Sequence, residues 1–281
     1  VLQIPPSDKP LHLNVALSHD ESGSLKQQTP SHQVVNLLEW TQGGPRRWKT
    51  THTLKGRLTT SSFQGYAMDS ITVPLKNAYN SWMRTSSLAF FPDGRLAVGT
   101  LPGDVWIVSG INDHLDGVTW QRFAAGLYEP LGMKVVDGVL TAITRGRIVK
   151  LHDYNQDGEA DFYEAFFNEN EPDKGWHAYN FDLEVGKDGS YYYGRTGGFS
   201  QWSVPGGGGK VSADGKSSEV IGAGLRVPNG IGKLPDGRIT LGDNQGTYVP
   251  ASKISITSPD AFHGACSWTK HGDKYDPTKI V

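Results

Sequence analysis

Four times in 281 residues the chain sets an Asp-Gly pair between two short apolar runs, and the spacing is nearly constant. The segments are residues 87–98 around Asp93-Gly94, 131–142 around Asp137-Gly138, 181–193 around Asp188-Gly189, and 230–241 around Asp236-Gly237. The turn aspartates are 44, 51 and 48 positions apart. Asp-Gly between strand-like runs is hairpin chemistry, because glycine takes the positive φ that a tight turn demands. A hairpin plus further strands in a unit of 40–50 residues matches one blade of a β-propeller. Division of 281 residues by about 48 predicts just under six four-stranded blades in an all-β fold. Residues 1–64 form an N-terminal segment, either a divergent blade or an extension, and 65–281 carry the blades. Strands are also expected at 34–40 and 65–74. The missing motifs at both ends fit either divergent blades or a piece of a longer polypeptide.

The composition agrees with a turn-rich β protein. The chain has 35 Gly and 16 Pro, too many for a helix bundle. Lys and Arg total 27 against 29 Asp and Glu, a formal net charge of -2, so no basic field exists to hold a phosphate backbone and nucleic acid is not an expected partner. No apolar run approaches the roughly 20 residues of a membrane span. The single cysteine, Cys266, excludes an internal disulfide, a zinc knuckle and covalent c-type haem.

Hairpin geometry converts spacing into a site, since residues equally far before and after a turn lie side by side. Seven positions after the turn aspartates stand Thr100, Thr144, Arg195 and Asp243, each polar where an apolar strand stops. Asn229 lies seven before the fourth turn, Arg226 three further out, and His177 eleven before the third. Radial blades would bring His177, Arg195, Arg226, Asn229 and Asp243 to one mouth of the central channel. The run Asp243-Asn244-Gln245-Gly246 offers oxygens dense enough for a hard cation.

A second signal is independent of the repeat. Residues 153–164 fit D-x-[DN]-x-[DN]-G-x5-E, with Asp153, Asn155, Asp157, Gly158, Glu159, Asp161 and Glu164 at the defined places. In such a loop, oxygens at positions 1, 3 and 5, a carbonyl at 7, a direct or water-mediated ligand at 9 and a carboxylate at 12 wrap calcium. The flanking segments read as strands, so the predicted role is a structural staple.

The run from Trp176-His177 to Asp188-Gly189, followed by Arg226-Val227-Pro228-Asn229-Gly230 and Asp243–Gly246, resembles the quinoprotein sugar dehydrogenase propellers. With Leu131-Gly132-Met133 and the 151–161 loop, it is similar more closely to secreted sorbosone-dehydrogenase-like propellers, often fused to c-type cytochrome modules. The resemblance covers about residues 65–265. It implies a six-bladed propeller, pyrroloquinoline quinone (PQQ) and calcium at the channel mouth, a carbohydrate hydroxyl as substrate, a cytochrome as electron acceptor, and a periplasmic or extracellular location. It implies further that His177 is the general base, that Arg226 stacks on or polarises the quinone, and that Gln245 and Gly246 lie in the calcium-ligand region. Arg195, Asn229 and Asp243 complete the expected cofactor site. Where the family has Arg-Asn-Pro, this chain has Arg226-Val227-Pro228.

Two other functions share these residues. Pro228-Asn229-Gly230 with Asp243 looks like the gluconolactonase propellers, where Asn and Asp hold a metal that activates water. A calcium-stabilised propeller that binds glycans on its Trp and Tyr rings, without catalysis, is the third.

Overall fold

The computed structural model describes residues 37–59, 65–169, 178–197, 206–246 and 249–265. The chain divides into two units, Val1–Gly43 and Gly44–Val281. Within the first, the described part of the strand expected at 34–40 is a 3-10 turn, Leu37–Thr41.

The second unit is an all-β propeller of four antiparallel sheets among the described residues. The first holds β1 (Thr51–Leu54), β2 (Thr85–Phe90), β3 (Leu96–Thr100), β4 (Val105–Ser109) and β5 (Val118–Ala124). The second holds β6 (Gly132–Val136), β7 (Val139–Thr144), β8 (Arg147–His152) and β9 (Phe162–Asn168). The third holds β10 (Asn180–Val185), β11 (Tyr191–Arg195), β12 (Gly207–Val211) and β13 (Ser218–Ile221). The fourth has three strands, β14 (Ile231–Lys233), β15 (Ile239–Asp243) and β16 (Lys253–Ile256). Apart from β1, which lies beyond β5, each sheet runs in chain order, and the opening strands of these runs meet in sequence, β2 against β6, β6 against β10 and β10 against β14. The opening strands are therefore the inner ones.

Each of the four repeat Asp-Gly pairs closes the hairpin between the two innermost strands of its sheet. Asp137 and Gly138 form a two-residue turn, both at positive φ (49° and 80°). The other three are longer by one residue and explain the aspartate: Asp93, Asp188 and Asp236 each accept the N–H two residues on, from Arg95, Ser190 and Arg238. A fifth such turn, Asp214-Gly215, joins β12 to β13, with Asp214 accepting from Lys216 N.

The expected six blades are corrected to four sheets, and the reason lies before residue 84. β1 pairs with β5 as an extra outer strand of the first sheet. Residues 65–74, expected as a strand, contribute isolated bridges, such as Arg57 to Ser70, and a covering layer instead. Ile71, Val73, Tyr79 and Met83 pack onto Trp106, Val108, Val118 and Trp120. The opposite face of the same sheet, with Ala97, Val105, Ile107 and Phe123, meets Met133, Leu140, Ala142 and Leu151 of the second. β3 is buried along its whole length because both of its faces are covered, which is why it reads as the continuous run Leu96-Ala97-Val98-Gly99.

Buried polar groups mark where acid should act. His263 is buried, its Nε2 lies 3.4 Å from Thr257 Oγ1, and its Nδ1 has no hydrogen-bond partner. Burial, with a smaller contribution from the charge of Lys253, lowers its pKa from 6.5 to about 4. The unfolded chain then binds the extra proton first, so this stability is complete above about pH 6.5 and is lost as pH falls toward 4. The shift corresponds to about 3 kcal/mol. Urea titrations at several pH values should show the His263→Gln variant losing less stability between pH 6.5 and 4 than the parent; equal losses would contradict this role.

Candidate functional site

The four polar positions predicted at strand ends stand there. Thr100, Thr144, Arg195 and Asp243 are the last residues of β3, β7, β11 and β15, and all are buried. Hydrogen bonds link the last three across the sheets at the end opposite the Asp-Gly turns. Asn180 pairs with Arg195 and donates from Nδ2 to Thr144 O at 3.4 Å. Gly197 N donates to Arg226 O at 2.9 Å, and the Asp243 carboxylate accepts from Arg226 N and Val227 N, both at 2.9 Å. Asn229 N donates to Gly242 O. Asp243 thus clamps the loop that carries Arg226, Asn229 and their neighbours. Burial raises its pKa, and the two backbone N–H groups oppose that rise.

The side chains differ in availability. Arg226 is partly exposed and its Nη1 donates to Gln245 O at 3.3 Å. Asn229, Asn244 and Gln245 are exposed beside it, and Gly246 N donates to Val249 O. Arg195 is buried, with Nε 3.6 Å from Glu169 Oε1, a carboxylate that also accepts from the Tyr193 hydroxyl. Arg195 is therefore a wall of the mouth more than a group offered to a ligand. His177 lies outside the described residues, but its neighbour Ala178 is held firmly: Arg145 donates to Ala178 O from Nε (3.0 Å) and Nη2 (2.7 Å).

Arg145 and its partner Glu129 were not legible from the repeat. Glu129 has positive φ (54°), its Oε2 lies 3.6 Å from Arg145 Nε, and burial raises its pKa against the pull of Arg145. Arg145 follows Thr144 by one residue. It stands one past the end of β7, outside the strand-end positions that the repeat defines, so its role rests on its contacts with Glu129 and Ala178.

The inner strands enclose a cavity of about 430 Å³ lined by Thr85, Ser87, Leu131, Met133, Asp182 and Asn229. All four sheets contribute, so this is the axial channel. Asp182, at positive φ (57°), crosses it: its N donates to Leu131 O, and its carboxylate accepts from Ile231 N at 2.9 Å.

The 153–164 loop forms a separate site between β8 and β9. Asp153 accepts from Asp157 N and Gly158 N, Asn155 Oδ1 from Asp157 N, and Asp157 Oδ1 from Glu159 N. Burial, with the charges of Asp157 and Asp161, raises the Asp153 pKa, the repulsion that a cation would relieve. The tight turn Asp153–Gly158 therefore fits a hard cation. The rest of the motif is used otherwise. Glu159 turns to Arg47 and Trp48, accepting from Arg47 N, Arg47 Nε and Trp48 N. Asp161 accepts from Gly44 N and Tyr154 N, and Glu164 is hydrogen-bonded to His152 Nε2 at 2.7 Å. Among the described residues no three His, Cys, Asp or Glu side chains already form a metal cage. The loop staples the 44–48 segment, which leads into β1, onto the second sheet.

The mouth also bears on a quinone. Arg226 stands among exposed amides, and Asp243, the nearest carboxylate, is turned to backbone N–H groups. That inventory of donors and positive charge fits a planar, anionic, oxygen-rich group. It fits a second cation less well, because Arg226 already occupies the Gln245 carbonyl.

No family model and no curated protein matches the chain. Among solved structures it is similar to the PQQ-bound form of an aldose sugar dehydrogenase from Streptomyces coelicolor (TM-score 0.53, 16% identity, 68% of this chain and 65% of that one). It is also similar to the holo form of the pyranose dehydrogenase PQQ domain from Coprinopsis cinerea (0.52, 11%, 67% and 56%). A third is the calcium structure of a Trichoderma reesei carbohydrate-active enzyme of family AA12 (0.50, 12%, 78% and 58%). The chain spans less than two thirds of the length of each. At these identities the likeness establishes the propeller fold. Among the described residues no helix is long and apolar enough to cross a membrane.

Proposed function

We propose that the chain is the propeller of a PQQ-dependent carbohydrate dehydrogenase, periplasmic or extracellular, that oxidises a sugar or alcohol hydroxyl and passes the electrons to a c-type cytochrome. The observation that supports this reading is the clamped loop at the mouth, where Asp243 fixes the backbone of Arg226 and Val227 and leaves the Arg226 guanidinium beside exposed amides. A bound quinone would supply the two-electron acceptor that side chains lack. Arg226 would offer its charge to the quinone oxygens, and Asn229 and Gln245 would orient it. His177 would take the proton of the hydroxyl being oxidised, as a neutral imidazole can near pH 7. Arg145, by fixing Ala178, would limit the movement of that base.

The same reading gives calcium a structural place in the 153–158 turn. With Glu164 engaged by His152, the turn would bind calcium without a bidentate twelfth ligand, and the expected affinity is that of weak extracellular modules, a Kd of about 10⁻⁴–10⁻³ M. Calcium at ten times Kd should then add about 1.4 kcal/mol and raise the melting temperature by about 3–5 °C over a chelated sample. Identical melts would remove calcium from this loop.

The function is tested by reconstitution with PQQ and calcium and by sugar-dependent dye reduction across a panel of aldoses and alcohols. His177→Ala should abolish dye reduction and keep quinone uptake. Lactone hydrolysis without quinone, dependent on Asp243, would replace this reading with that of a metal-dependent lactonase.

A further inference from the structure

A second cavity, of about 700 Å³, opens at the Asp-Gly end, opposite the mouth. Its volume falls within the roughly 300–1,000 Å³ of ligand sites. The first sheet contributes Phe91, Ile107 and Phe123, and the second Leu140 and Leu151, so the floor is apolar. The rim is polar, with Arg95, Gln121 and Gln156 and the start of the 153–158 turn.

Beside this rim stand three aromatic rings. His152 ends β8 and pairs across the ladder with Phe162, the first residue of β9; Tyr154 follows His152 by two. The His152 and Tyr154 rings stack with centroids 5.4 Å apart and planes 19° apart, and Tyr154 and Phe162 lie 6.3 Å apart at 16°. Glu164 fixes the edge of His152 through the 2.7 Å hydrogen bond. Tyr154 is 52% and Phe162 49% exposed. Near-parallel rings at this exposure form a platform, and the 153–158 turn that would hide Tyr154 instead presents it.

We propose that this platform and cavity form a saccharide-binding site, distinct from the mouth, for a neutral oligosaccharide. The flat C–H face of a pyranose stacks on aromatic rings, while its hydroxyls need donors and acceptors in one plane; Arg95 and Gln156 supply donors, and Gln121 supplies a carbonyl acceptor while its Nε2 donates to Gly158 O at 2.6 Å. The sign of the site selects against anionic ligands. Asp153, Asp157 and Asp161 lie together in the loop, and Arg95, the basic residue of the cavity lining, is already paired with Asp93 at 2.8 Å. With calcium held in the turn, the three carboxylates still leave one uncompensated negative charge, so phosphorylated and uronate ligands are disfavoured. The site does not depend on the quinone reading, since its residues belong to the turn end of the first two sheets. It would anchor a chain of sugars to the protein whether or not the mouth oxidises one.

The test is titration calorimetry of the purified chain, at fixed calcium, with cellopentaose and with maltopentaose, and with trigalacturonate as the charged comparison. Saturable binding of either neutral probe is expected, at least tenfold weaker in Tyr154→Ala, with an unchanged melting temperature and weaker uptake of the uronate. If Tyr154→Ala disturbs the loop, Phe162→Ala on β9 gives the same readout. No saturable binding of either neutral probe, or affinity undiminished in both variants, would overturn the proposal. So would uptake that survives both variants and vanishes in Arg226→Ala, because that sugar would sit in the mouth.

Discussion

Replacing Gly132 with alanine should cost about 3 kcal/mol or more, a large share of the 5–15 kcal/mol that holds a typical domain. A Cβ at residue 132 would stand 2.2 Å from the Asp182 carbonyl carbon and 2.4 Å from its Cα, so the obstacle is backbone and cannot rotate away. Asp182 has no room to retreat. Its N–H is bonded to Leu131 O in the second sheet, its carboxylate accepts from Ile231 N in the fourth, and its own φ is already left-handed. The strain would therefore spread across three sheets at the channel. Gly138→Ala is the comparison: its φ is 80°, yet nothing lies within 4 Å of the new Cβ, so only the backbone cost of about 1–2 kcal/mol applies. Urea denaturation of the two variants measures the difference, and equal costs would show that the close approach at the axis is unimportant.

Asp243→Ala should destabilise the chain by about 2–5 kcal/mol and abolish quinone uptake. The substitution orphans two backbone N–H groups, those of Arg226 and Val227, at a position buried beneath the mouth, and each costs about 1–3 kcal/mol without an acceptor. Asp243→Asn keeps one acceptor oxygen and should lose about half as much. Amide hydrogen exchange reads the cause directly: protection should fall at residues 226 and 227 in Asp243→Ala and at one of the two in Asp243→Asn, while the β6–β9 sheet keeps its own. A loss under about 0.5 kcal/mol, or unaltered exchange at those amides, would mean that the loop is held by something else.

The architecture was written in the turns. Asp93, Asp188 and Asp236 announce their hairpins because each carboxylate accepts a nearby N–H in the same hairpin, an interaction confined to five residues and therefore visible in sequence. The polar strand ends Thr100, Thr144, Arg195 and Asp243 followed from counting along those hairpins. The blade number is not legible from length, because not every residue belongs to a repeat. Residues 65–83 cover Trp106 and Trp120, and β1 adds a fifth strand, roles that depend on long-range packing. Glu129 and Arg145 are illegible for a similar reason: their pairing joins the approach to β6 with the residue just past β7, both outside the strand-end positions counted from the turns. The loop motif was half informative. Its first six positions encode a local turn, while Glu159 and Glu164 are captured by Arg47 and His152, partners whose chain positions the motif does not contain.

Titration of the purified chain with PQQ in millimolar calcium, read by tryptophan quenching and confirmed by calorimetry, addresses the proposed mouth most directly. Saturable uptake of one quinone per chain is expected, weakened at least tenfold in Arg226→Ala and indifferent to Tyr154→Ala. Absence of saturable uptake, or uptake that Arg226→Ala leaves intact, would contradict it.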